Sequence, residues 1–112
     1  MKTLDFSDSV VTIDGKSFQL EYHVNDTRIV DGRAIIIFKG DNGIGGLRQF
    51  QNCHAYNDEG ELLWVAEHPT NGTNDLYLNF IDEGTNRLWN FACFVCELDF
   101  STGKLKEALF TK

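Results

Sequence analysis

Cys93-Phe94-Val95-Cys96 has the CxxC spacing used by redox couples and zinc sites, where two sulfurs must approach one partner. No second CxxC and no paired histidines accompany it, and on a strand positions i and i+3 point to opposite faces. The pair reads as two buried structural cysteines, and Cys53 takes the same reading, because free cysteine packs as a small apolar side chain. Folding is therefore expected to need neither metal nor disulfide.

His23, His54 and His68 fall on separate segments, and no serine occupies a strained nucleophile turn. A triad can assemble from distant positions, but nothing in this order of residues singles one out. His54 and Asn52 share a strand face with Phe50 and Tyr56 and read as a satisfied polar pair near a sheet edge. The glycine-rich loop Gly40 to Gly46 follows a strand, as phosphate loops do, yet it lacks the Gly-Lys-Ser/Thr ending, carries Asp41 and precedes no clear helix. Such a loop on a sheet is a place to touch a partner. Trp64 and Trp89 read as core residues. These residues offer no catalytic group, metal ligand or cofactor site, so the sequence describes a binding protein and not an enzyme.

Acids outnumber Lys and Arg by 17 to 10, a formal charge of -7, which repels phosphate backbones and anionic membranes. Direct nucleic-acid and membrane partners are accordingly not expected. Asp41, Asp58, Glu59, Glu61, Glu67, Asp75, Asp82 and Glu83 concentrate in the middle loops and strand ends, either as a solvated surface or as an interface for a cationic protein. The N-terminal Met1-Lys2-Thr3-Leu4-Asp5-Phe6-Ser7-Asp8 has acids where a signal peptide needs an unbroken apolar run, and an odd set of three cysteines suits reduced thiols, so the expected compartment is the cytoplasm.

The elements that must position these side chains are strands. Phe18, Leu20, Tyr22 and Val24 alternate with polar residues as one half-buried strand. Asp14-Gly15 and Asp31-Gly32 suit the positive-φ positions of tight hairpins. Arg33 to Phe38 is apolar on both faces and reads as central; Leu88 to Leu98 is apolar on both faces as well and reads as one long core strand. In between, Asn57-Asp58-Glu59-Gly60 turns the chain and residues 68 to 75 form the longest loop. Ser101-Thr102-Gly103 makes a last turn, and Lys104 to Phe110 is taken as strand although its apolar spacing also suits a short helix. The expected fold is one all-β domain over 1–112, an antiparallel meander of roughly nine strands folded as a sandwich or partly open barrel, with hairpins like those of a propeller blade.

At Asn52-Cys53-His54-Ala55-Tyr56-Asn57-Asp58-Glu59-Gly60-Glu61-Leu62-Leu63-Trp64 the chain resembles small stand-alone bacterial proteins with an aromatic-Asn/Asp-x-x-Gly-x-Leu-Leu-Trp hairpin. The stretch from Phe94 to Leu105 is similar to their closing strands, and propeller blades use similar Asp-x-x-Thr-Gly-x-Leu turns. Asn57 stands where that pattern usually has Asp. Some of these proteins are immunity partners of polymorphic toxins, including those of contact-dependent growth inhibition. The resemblance implies an immunity protein that binds a cognate toxin domain, with a basic nuclease as the target. It carries over no interface residue, because such interfaces differ from pair to pair. The alternative expectation is a β module that binds a small molecule or peptide through Trp64, Trp89 or Tyr77.

Overall fold

The computed structural model describes residues 1–40, 50–71, 75–82 and 84–111. Every regular element among them is a strand, eleven in all. Tight turns set the topology. Asp14 and Gly15 have φ of 48° and 85° and join β2 (Val10–Ile13) to β3 (Lys16–Gln19). Asp31 and Gly32, at 48° and 76°, join β4 (Val24–Val30) to β5 (Arg33–Phe38) in the same way. Both central positions of such a turn need positive φ, which Asp-Gly supplies at low cost.

Three antiparallel meanders result. β1 (Leu4–Ser7), β2 and β3 form the first; β4, β5, β6 (Cys53–Tyr56) and β7 (Leu62–Val65) form the second. The third contains β8 (Tyr77–Ile81), β9 (Arg87–Asn90), β10 (Phe94–Asp99) and β11 (Lys104–Phe110), with neighbours in chain order throughout. Their packing follows from the alternation along β5. Ala34, Ile36 and Phe38 join Val11, Ile13 and Phe18 in one apolar cluster, whereas Ile35 and Ile37 join Tyr77, Phe80, Leu88, Cys96 and Leu98 in another. The second sheet is thus the middle of three layers, which is why its central strand is apolar on both faces. Each of Ile35, Ile36 and Ile37 is fully buried, and such burial stabilises by about 1.5–3 kcal/mol per side chain.

Polar struts cross between the layers. Asn52 is completely buried; its Nδ2 donates to the carbonyls of Phe38 (2.9 Å) and Tyr77 (2.7 Å), and its Oδ1 accepts from the Tyr77 amide (3.0 Å). Asn52 therefore joins the second sheet to the third and does not pair with His54. Asp26 of β4 accepts the Phe80 amide of β8 at 3.0 Å, and Arg28 donates to the Thr85 carbonyl at 2.7 Å.

Four expectations need correction. The alternating run from Phe18 to Val24 is not one strand: β3 ends at Gln19, the chain bends at Glu21 and Tyr22, and Val24 starts β4. The amides of Leu20 and Val24 donate to Ser9 and Asp8, carrying the chain from the first sheet to the second. Phe18, Leu20, Tyr22 and Val24 still share one cluster, so periodicity read the face and missed the bend. The run from Leu88 to Leu98 is a hairpin, turned at Phe91, Ala92 and Cys93. Asn90 makes this turn: its Oδ1 accepts the Ala92 amide (2.8 Å) and its carbonyl accepts the Cys93 amide (3.0 Å), with Cys93 at φ 70°. Consequently Cys93 is exposed, not buried, and Trp89 faces outward at 42% exposure, not into the core. Trp64 is half-buried, stacked on Phe100 and donating through Nε1 to its carbonyl at 3.0 Å.

Candidate functional site

The β6–β7 turn holds three of the predicted acids together. Asn57 Oδ1 accepts the amides of Glu59 (2.9 Å) and Glu61 (3.0 Å), and its Nδ2 donates to the Glu61 carboxylate (3.0 Å). Gly60, at φ 79°, lies so close to β3 that a Cβ there would sit 2.4 Å from the Phe18 ring. The turn is thereby docked on the first sheet, with Asp58, Glu59 and Glu61 exposed. A held turn presents its charges with less conformational entropy to lose on binding than a free loop does.

The other predicted acids do not join this group. Glu67 is exposed, but its Oε1 accepts the Leu105 amide (2.9 Å) and its own amide donates to Gly103 (2.8 Å), tying the end of β7 to the start of β11. Asp82 is exposed in the β8–β9 turn. Asp41 and Glu83 lie outside the described residues, as does most of the glycine loop. Asp75 is a correction: it is fully buried and cannot belong to a surface patch.

Asp75 instead organises a polar cluster. Its Oδ1 accepts from Asn90 Nδ2 (2.7 Å) and His68 Nδ1 (2.8 Å), and its Oδ2 accepts the amide (2.6 Å) and hydroxyl (2.7 Å) of Thr70. Burial pushes the Asp75 carboxyl upward, but these hydrogen bonds outweigh it and hold the group below the usual carboxylate value. The His68 ring leans on Tyr77, with centroids 4.6 Å apart, and its Nε2 is buried without a partner among the described residues. Beside it a polar cavity of about 560 Å³ is lined by Phe50, Gln51, Glu67, His68, Thr70 and Asn71. An aspartate orienting a histidine is the rear half of a triad, yet the Thr70 hydroxyl is spent on Asp75 and no described hydroxyl or thiol is hydrogen-bonded to Nε2. The cluster closes the loop after β7 onto β9. Sequence reasoning missed it because its members come from two segments; the only local signal was a polar loop rich in side-chain acceptors.

The remaining candidates are structurally engaged. His54 Nδ1 pairs with the Tyr56 hydroxyl (3.1 Å) and Nε2 with the Gln51 carbonyl (2.8 Å), while burial lowers its pKa and favours the neutral ring. It sits on an inner strand and not at a sheet edge. Burial pushes the Cys96 thiol up to about 11 and the Cys53 thiol higher still, so neither is a thiolate at neutral pH. No group of three or more His, Cys, Asp or Glu among the described residues is arranged to hold a metal. No described helix is long and apolar enough to cross a membrane.

Residues 1–110 match a protein family described as a domain of unknown function (DUF7957), and the chain belongs to that family. Comparison with curated proteins and with solved structures finds no match.

Proposed function

We propose that this member of the family is an immunity protein, an inhibitor that binds a cognate toxin domain in the cytoplasm and blocks it, with a basic nuclease as the target. The observation that carries the reading is the β6–β7 turn, where Asp58, Glu59 and Glu61 are exposed on a backbone fixed by Asn57 and Phe18. On a chain of net charge -7, such carboxylates steer a cationic active site into contact and raise the association rate. Occlusion asks nothing catalytic of the inhibitor. The test is to capture the partner from lysate of cells carrying the neighbouring genes and to co-express the protein with the toxin domain so identified: the protein should restore growth, and the Asp58→Lys/Glu59→Lys variant should restore less. Cells that die at the same rate with and without the protein would overturn the proposal.

A second reading, a β module that binds a small polar molecule or a peptide, is favoured by the cavity beside His68. It predicts that His68→Phe abolishes a ligand-induced rise in melting temperature, whereas the Asp58→Lys/Glu59→Lys pair leaves it intact.

A further inference from the structure

The two outer faces of the three-layer stack differ. On the first sheet, the outward residues Asp5, Ser7, Val10, Thr12, Ser17 and Gln19 are polar apart from Val10, as a solvated face should be. On the third, register aligns Trp89 of β9, Val95 of β10 and Leu109 of β11 in one cross-strand row pointing away from the core, which ends at the exposed polar Asn79 of β8. Trp89 is 42% exposed and Leu109 51%, and Phe91 in the adjoining turn is 44% exposed. The next outward row along the same strands is Arg87, Glu97 and Glu107. Apolar side chains in a row on an otherwise polar sheet mark a contact surface.

We propose that this face packs against the same face of a second copy, about a two-fold axis running parallel to β10. Such an axis places β9 of one copy over β11 of the other and keeps each row opposite itself. Trp89 then meets the mate's Leu109, Val95 meets Val95, and Arg87 meets Glu107, twice by symmetry. Glu97 is the one like-charged pair on the axis, and Lys106 neutralises it from 3.4 Å. The local charge also selects this occupant. Arg87, Lys104 and Lys106 balance Glu97, Asp99 and Glu107 on this sheet, although the whole chain carries -7, so a cationic partner gains no steering here while a self-complementary one gains two opposed pairs. The three strands that overlap, spaced at about 4.8 Å and about six residues long, project about 300 Å² per copy, below the size of stable interfaces and in the range of transient encounters. The dimer is accordingly weak and reversible.

Sedimentation velocity of the full chain tests this over concentrations up to about 100 µM. The wild type should shift from monomer to dimer. Trp89→Ala should weaken the dimer at least about ten-fold while retaining the wild-type melting temperature measured at monomer concentrations. Arg87→Glu and Glu107→Arg should each be monomeric alone, yet associate when mixed, because each variant then presents the charges the other lacks. A wild type that stays monomeric throughout, or mixed variants that do not associate, would overturn the proposal. A monomeric wild type that loses toxin binding on Trp89→Ala would give the face to the toxin instead, likewise refuting the dimer. The dimer does not depend on the immunity reading, and either can fail alone.

Discussion

Replacing Asn52 with alanine removes three hydrogen bonds at once, to the Phe38 carbonyl, the Tyr77 carbonyl and the Tyr77 amide, at a side chain with no exposure. Each orphaned buried backbone group costs about 1–3 kcal/mol, and groups sharing one site do not add fully, so the loss should be about 3–6 kcal/mol. That is a large part of the roughly 5–15 kcal/mol that holds a domain together. Urea denaturation followed by circular dichroism should show a midpoint lowered by about 2 M or more with an unchanged slope. Asn52→Asp sharpens the test. It keeps the acceptor for the Tyr77 amide but sets a carboxylate oxygen against two carbonyls, so at neutral pH it should destabilise at least as much as alanine and recover partly when protonated. A loss under about 1 kcal/mol for Asn52→Ala would refute the reasoning and leave Asn52 no part in joining the second and third sheets.

Gly103→Ala forces a Cβ to 2.4 Å from the Trp64 ring at φ 78° and should cost at least about 3 kcal/mol. By contrast Gly32→Ala, at φ 76° with open space around it, should cost about 1–2 kcal/mol from backbone strain alone; thermal unfolding that ranks the two equally would contradict the close packing. The Asp75 carboxyl is held below its ordinary value near 3.8, so its contribution is present above that pH and is lost as pH falls through the lower folded value. Stability measured by urea at pH 5 and pH 3 should therefore drop less steeply in Asp75→Asn than in the wild type. Leu88→Ala should cost about 2–5 kcal/mol and neighbouring Trp89→Ala under about 1 kcal/mol in the monomer, because only Leu88 faces the core. Equal denaturation midpoints would reverse the facing of β9.

The sequence made legible those features in which one residue type is required locally. Asp14-Gly15 and Asp31-Gly32 were readable because few other pairs tolerate two positive φ angles in succession, and the central position of Arg33 to Phe38 was readable because only a sheet covered on both faces is apolar throughout. The β9–β10 hairpin was not readable, since it turns without glycine or proline and relies on Asn90, whose side chain accepts the Ala92 amide and whose carbonyl accepts the amide of Cys93 at φ 70°. Apolar residues on both sides of that turn then imitated one long strand. Asp58 and Glu59 were legible as exposed acids because they occupy a turn. Asp75 was misplaced because the groups that satisfy its charge include Asn90, which lies on another strand.

Association kinetics with the toxin domain at two ionic strengths test the central claim, that exposed carboxylates on the β6–β7 turn recruit a basic partner. The account predicts that association slows steeply with salt while dissociation changes little, because screening acts on long-range steering. It also predicts that Asp58→Lys/Glu59→Lys slows association more than Asp5→Lys/Asp8→Lys, two variants that change net charge equally. Equal association rates for the two variants would contradict it and leave the acidity as a solubility trait.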